Sequence, residues 1–296
     1  MSTATVSLSS SLSRPSGKTT RAEYSFFWPK IVEIYRQVFF LLKKDPTLSL
    51  LFIINALLDL ATLIFLFLAP FAPVSYLLAP VIRTFWSDAY LHYPQNFVLL
   101  PKLYNNAHLL VTMTVGIFIS GLVIKKIEGE MRGGKCVSLV SAGREVFKRY
   151  FSLLLLWLFS YGLFATGIKI LLPMIPKNLG LQLGGTFLWG LICQSLAAFL
   201  MPSLLLLNKG FFKKVGVGLR YGVKNILVTA GLIAAPLALA MVLSFFRWLT
   251  PFFIKLCPEL VLWVLALGCG LMTLVDMWIT LSTTVLFLEV EKQSKK

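Results

Sequence analysis

Asp59 stands in the middle of a long apolar run, with Asn55 one helical turn before it, and Asp276 stands within another such run. A carboxylate at bilayer depth costs roughly 2.5–3.5 kcal/mol on insertion scales, so a chain that keeps one there turns it toward other helices or toward water. The chemistry open to these acids is the binding of a proton or a cation, with Lys169 or Gln194 as the available partner. The competing reading is polar glue between helices, worth roughly 0.6–2 kcal/mol per hydrogen bond. Asn55, Asp59, Gln194 and Asp276 are the candidate intramembrane polar site.

Other reactive side chains are sparse. His92 and His108 are the only histidines. Asp88 and His92 lie four residues apart and can share a helix face, but a metal site needs three or four ligands at close quarters. The pair reads as surface polarity, and His108 as a polar residue opening the second apolar run. Cys136, Cys193, Cys257 and Cys269 show no CxxC spacing, so neither a metal site nor a disulfide framework is expected. No GxSxG, HExxH, P-loop or GxGxxG stands in a fitting context. Gly216-Val217-Gly218 follows no strand and reads as a flexible loop rather than a phosphate cradle. The chain reads as non-enzymatic, with no cofactor.

The elements that must hold these residues are six apolar stretches, at 47–69, 107–124, 151–172, 185–207, 225–246 and 260–288. Each is long enough to cross a hydrocarbon core of about 30 Å as a helix. The composition agrees: 57% of the chain is hydrophobic and only 14% charged, against about a quarter charged in soluble domains. The expected fold is therefore an all-α polytopic membrane protein of six transmembrane helices, forming one integral domain over 24–290 with short tails at 1–23 and 291–296.

The net charge of +16 would suggest nucleic acid if it were clustered without regard to the spans. Instead it alternates with them. One side of the membrane receives nearly all the lysines and arginines. The other keeps only Arg83, Lys102, Lys169, Lys177, Arg247 and Lys255 of the 28. The positive-inside rule then places both termini in the cytoplasm. Lys125, Lys126, Arg144, Lys148, Arg149, Lys213, Lys214 and Arg220 form a basic cytoplasmic rim suited to anionic lipid headgroups or a protein partner, and no nucleic acid is expected. A bacterial inner membrane is the expected location. The Ser/Thr-rich segment 1–22, with Arg14, Lys18 and Arg21 and no acid, reads as a disordered tail, although an organellar transit peptide shares that composition.

Residues 24–44 place Phe27, Ile31, Ile34, Tyr35, Val38 and Leu42 at helical spacing, which predicts an amphipathic helix at the cytoplasmic interface, ended by Asp45-Pro46. Short basic elements at 141–150 and 217–225 precede the third and fifth spans, and Arg144 matches Arg220 at the same offset as Lys148 matches Lys224. The chain thus reads as three units of interfacial helix, span, outer loop and span, unless the positive-inside rule alone produces the match. In the long outer loop, Ile82, Phe85, Trp86, Ala89, Tyr90 and Tyr93 fall on one helical face, which suits an outer interfacial helix or a lid. Pro202 and Pro236 predict kinks in spans four and five. Gly116, Gly121, Gly162 and Gly167 predict close helix contact.

LLKKDPTLSLLFIINALLDL (41–60), REVFKRYFSLLLL (144–156) and FLMPSLLLLNKGFFKKVGVGLRYGVKN (199–225) carry a resemblance. The layout over about 30–290 resembles six-helix membrane proteins similar to the membrane domain attached to some glycerophosphodiester phosphodiesterases. The soluble phosphodiesterase domain is missing, so the resemblance implies the fold and no catalytic residue. The expected function is a scaffold or accessory subunit that docks through the basic rim. The alternative is a transporter or lipid-handling protein with a cavity near Asp59 and Asp276.

Overall fold

Backbone groups inside a membrane find no water to bond, so apolar runs of this length satisfy themselves as helices. In the computed structural model, which describes residues 19–93, 95–133, 137–176, 178–249, 252–253 and 257–294, every regular element is helical. In chain order these are α1 (Thr19–Lys44), α2 (Thr47–Phe67), α3 (Val74–Phe85), a 3-10 turn (Asp88–Leu91), α4 (Gln95–Val111), a π-helical turn (Thr112–Gly116), α5 (Ile117–Gly133), α6 (Leu139–Met174), α7 (Leu179–Ala197), α8 (Leu200–Leu206), α9 (Phe211–Lys224), α10 (Ile226–Trp248) and α11 (Leu260–Ser294). Five helical stretches are long and apolar enough to cross a membrane, one of them made of α7 and α8 together, and the bent pair α9–α10 makes a sixth candidate. The tail expected at 1–23 lies outside the described residues up to residue 18, and α1 is already helical from Thr19.

The apolar helices form a closed ring. Going round it, α2 packs on α4 and α5, α5 on α6, α6 on α7, α7 on α10, α10 on α11, and α11 returns to α2. Chain neighbours are thus neighbours in space, the usual outcome of short connections. The last turns of α11, from Leu281 through Val285 to Leu288, are buried all round and form the centre of one end of the ring. There they meet Val123, Ile127, Val146, Phe199 and Leu205 in the main core. On α1, Ile31, Ile34, Val38 and Leu41 are buried against the bundle, while Trp28, Val32, Phe39 and Phe40 remain exposed. One apolar face therefore packs on protein and the other suits lipid.

The short basic elements expected before the spans differ from one another. α9 meets α10 at 83°, because Asn225 leaves the helical region (φ −111°) and caps the end of α9. The matching basic element at 141–150 has no such residue and runs unbroken into the third apolar run as part of the 36-residue α6. That helix is about 54 Å long, more than the hydrocarbon core needs. The second apolar run also belongs to a longer helix, which starts at Gln95 rather than near 107 because Phe97, Leu100, Leu103 and Tyr104 give its first turns a face to bury. Between α2 and α4 the helix covers Val74–Phe85. Ile82 and Tyr90 are buried together with Ala69 and Leu103, while Phe85 and Tyr93 are exposed. Gly216-Val217-Gly218 is helical, within α9, and not a loop.

Helix irregularities free carbonyls, and named side chains fill them. Pro202 has no N–H for the carbonyl of Ala198, and the chain breaks between α7 and α8 at Ala198-Phe199. Pro236 likewise deprives Leu232, yet α10 continues through it, because the Tyr35 hydroxyl donates to the Leu232 carbonyl at 2.7 Å. The π-helical turn is served by Tyr150, whose hydroxyl donates to the carbonyls of Met113 and Thr114 at 2.8 and 3.1 Å. Gly218 and Gly222 let α9 lie against the α7–α8 break. A Cβ on Gly218 would stand 2.6 Å from the Ser203 hydroxyl, and one on Gly222 would stand 2.9 Å from the Leu196 carbonyl. Gly167 makes similar room for the Trp189 indole, whereas Gly162 faces open space.

Candidate intramembrane polar site

Asp59 lies on the buried stripe of α2 with Leu48, Phe52, Asn55 and Leu63. Rising 1.5 Å per residue, α2 carries it about 18 Å from Thr47 and about 12 Å from Phe67, which is membrane depth. Only 2% of it is exposed. Its Oδ1 meets Nδ1 of His108, on α4, at 2.9 Å. His108 is thus the partner that the sequence reading assigned to Lys169 or Gln194. Both of those are exposed on α6 and α7, helices that pack chiefly on α5, α10 and each other.

The surroundings of His108 fix its ring. Tyr104, one turn earlier, stacks on it with ring centroids 5.7 Å apart. The Tyr104 hydroxyl is itself tied to Cys269 Sγ on α11 at 2.9 Å. One turn later comes the π-helical turn, a feature common at functional sites because it re-aims the side chains around it. Gly116 in that turn faces Asn55, whose Oδ1 is buried without a hydrogen-bond partner among the described residues. An unbonded buried amide oxygen is costly and is rare outside sites that accept something.

Asp276 joins the pair from α11 and lies within electrostatic reach of both His108 and Asp59. Trp263, Leu267, Gly270 and Leu274 mark the outward-facing stripe of α11. At about 100° per residue, Asp276 points roughly to the opposite side. Its side chain is nevertheless accessible, on the side of α11 away from that stripe. Next to it an apolar groove of ≈ 450 Å³ runs between α2 and α11, lined by Phe52, Ala56, Leu60, Cys269, Thr273 and Met277. The acids do not themselves line this groove.

Two carboxylates around one imidazole can hold or pass a proton. Imidazole is the side chain whose ordinary titration falls near neutrality, and it bonds a carboxylate in either charge state. No three His, Cys, Asp or Glu residues among the described ones are placed to hold a metal ion.

The basic rim divides in two. Lys125 pairs with Glu128 and Glu145 at 2.6 and 2.7 Å. Lys126 is buried, paired with Asp45 at 2.7 Å and bonded to Thr47. Arg149 donates to the carbonyls of Leu204 and Leu205, and Lys214 to that of Leu204, closing the end of α8. Arg144, Lys148, Lys213 and Arg220 are exposed and, among the described residues, unpaired. Glu128 at i+3 from Lys125 was a visible signal; the open carbonyls of α8 were not. Between α3 and α4 Asp88 holds Arg83 at 2.6 Å and His92 at 2.7 Å, all three exposed.

Comparison with protein-family models, with curated proteins and with solved structures finds no match for this chain. The site therefore rests on its own geometry.

Proposed function

We propose that this protein is a proton-coupled transporter or lipid-handling protein, non-enzymatic, with Asp59, His108 and Asp276 as its proton-binding site. The carrying observation is the His108–Asp59 pair at 2.9 Å, a buried acid and a half-buried imidazole at membrane depth with a second acid in reach. Ionisable groups inside spans are costly and persist chiefly where they serve substrate or proton pathways. The apolar groove between α2 and α11, lined by Thr273 and Met277 on either side of Asp276 in the chain, gives a substrate a place to enter. In this reading the chain spans six times with both termini cytoplasmic, α9 lies in the inner interface, and a bacterial inner membrane is the setting. The 83° turn between α9 and α10 and the asymmetric basic charge support that arrangement.

The test is proton flux into liposomes that hold a pH-sensitive dye, driven by a potassium diffusion potential. Wild-type protein should accelerate the flux. Asp59→Asn, His108→Gln and Asp276→Asn should each return it to the protein-free rate while keeping a monodisperse elution profile. Well-folded variants with undiminished flux would refute the assignment, and so would wild-type protein that conducts nothing.

The scaffold reading keeps one support, the exposed Arg144, Lys148, Lys213 and Arg220. Reversing all four charges should weaken membrane or partner association if that reading holds, and leave it unchanged if it fails.

A further inference from the structure

We propose that a phosphate group binds in the cavity between the end of α5, the start of α6 and the α8–α9 turn, held by Lys148 and Arg149 with Lys125 and Arg132 opposite. The cavity measures ≈ 410 Å³, room for a phosphate mono- or diester, and all four cations line it together with Asn208. Its walls carry two carboxylates, and both are already engaged. Glu128 holds Lys125 and Arg132, Glu145 holds Lys125, and the buried Glu291 behind the wall also holds Arg132, so the surplus charge rests on Lys148 and Arg149.

Arg149 and Lys148 have no carboxylate within ion-pair distance among the described residues. Arg149 bonds only neutral carbonyls, those of Leu204 and Leu205. Lys214, buried, reaches the same Leu204 carbonyl, so a third cation without a carboxylate stands beside Arg149. Carbonyl dipoles at a helix end favour a cation but do not neutralise it. The arrangement is thus a polar cavity with surplus positive charge, a guanidinium held rigidly by its own helix-closing bonds, and an amide for a further hydrogen bond. Guanidinium and ammonium groups disposed in this way suit a tetrahedral oxyanion. A second cavity of ≈ 440 Å³ adjoins it, sharing Arg132, Leu206 and Asn208; its one carboxylate, Glu291, is paired with Arg132, and the remaining space can take the rest of the ligand.

The phosphate has two possible sources, a lipid headgroup and a soluble phosphate. Phe147 and Phe151 are exposed on α6 beside Lys148, and Phe212 on α9, an apolar flank next to cations that suits the boundary between headgroups and acyl chains. The inference is independent of the proton site.

The test uses the full chain in detergent with added phosphatidylglycerol or phosphatidylcholine, bound lipid being counted by native mass spectrometry. Phosphatidylglycerol should be retained in preference. Lys148→Gln, which breaks no internal bond, should weaken retention about five-fold, and Lys148→Glu roughly thirty-fold. Lys213→Glu, equally exposed but off the cavity, should change it less than about two-fold. A parallel arm measures melting temperature in millimolar inorganic phosphate. A rise in wild type that is lost in Lys148→Glu, without lipid preference, supports the same site with a soluble ligand. Equal weakening by Lys148→Glu and Lys213→Glu would mean diffuse surface charge and overturn the proposal. So would a Lys148→Glu variant unchanged in both arms.

Discussion

Lys126 offers the sharpest check on the geometry, because it belonged by sequence to the lipid-facing rim and is in fact buried. Its ammonium is 2.7 Å from Asp45 Oδ2, and the two side chains are only 7% and 9% exposed. Asp45 also accepts from the backbone N–H of Thr47 at 3.1 Å and from its hydroxyl, so it caps the start of α2. Removing one member of a buried ion pair typically costs about 3–5 kcal/mol, since the other charge is left without compensation. Lys126→Met should fall in that range. Asp45→Ala should cost about 1 kcal/mol beyond it, for the lost cap. Asp45→Asn with Lys126→Met removes both charges and keeps a capping oxygen, so the double variant should be more stable than Lys126→Met by about 2 kcal/mol or more. The assay is reversible unfolding in mixed micelles, followed by far-ultraviolet circular dichroism. Costs that simply add, within about 0.5 kcal/mol, would refute the claim that this pair is buried and coupled. A Lys126→Met variant of normal stability but weaker lipid binding would return Lys126 to the rim.

The same pair carries a pH dependence. Burial by itself pushes the Asp45 carboxyl up, but the Lys126 charge and the Thr47 hydroxyl and amide outweigh it and hold the carboxyl below its ordinary value. Its stabilising effect is therefore complete above the unfolded value of about 3.9 and is lost as pH falls through the lower folded one. Melting temperature should drop below about pH 4 in wild type, and less so in the double variant. Tyr35→Phe should leave the carbonyl freed by Pro236 unbonded, lowering stability by about 1–3 kcal/mol and fraying α10 in hydrogen exchange; unchanged protection at Leu232–Pro236 would refute the bond's role. Gly218→Ala should cost about 1–3 kcal/mol by crowding Ser203 and the backbone of Phe199. Gly216→Ala, on the open face of the same helix, should be neutral or stabilising by up to about 1 kcal/mol, and equal effects at the two positions would contradict the packing of α9.

Much of the architecture follows from the order of residues alone. Apolar runs of span length demand helices, since a membrane leaves the backbone no other way to bond. Asp45-Pro46 ends α1, and Pro202 opens a break at the carbonyl it leaves unbonded; both are local chemistry, readable in place. Asn55, Asp59 and Asp276 stand out because a polar side chain in an apolar run needs a reason wherever the chain folds. Their partner did not stand out. His108 lies 49 residues from Asp59, at the edge of an apolar run whose helix begins earlier than its hydropathy does, and only the packing of α4 on α2 brings the two together. The rim shows the same division. Alternation of charge with span orders the basic residues by side, but whether a lysine meets lipid, a carboxylate or an open carbonyl depends on which helix ends arrive beside it. Lys125, Lys126, Arg149 and Lys214 turn inward because Glu128, Asp45 and the unclosed end of α8 are there to receive them. Local sequence determines where the backbone must satisfy itself, whereas the pairing of buried charges belongs to the tertiary structure, because it depends on distances between segments far apart in the chain.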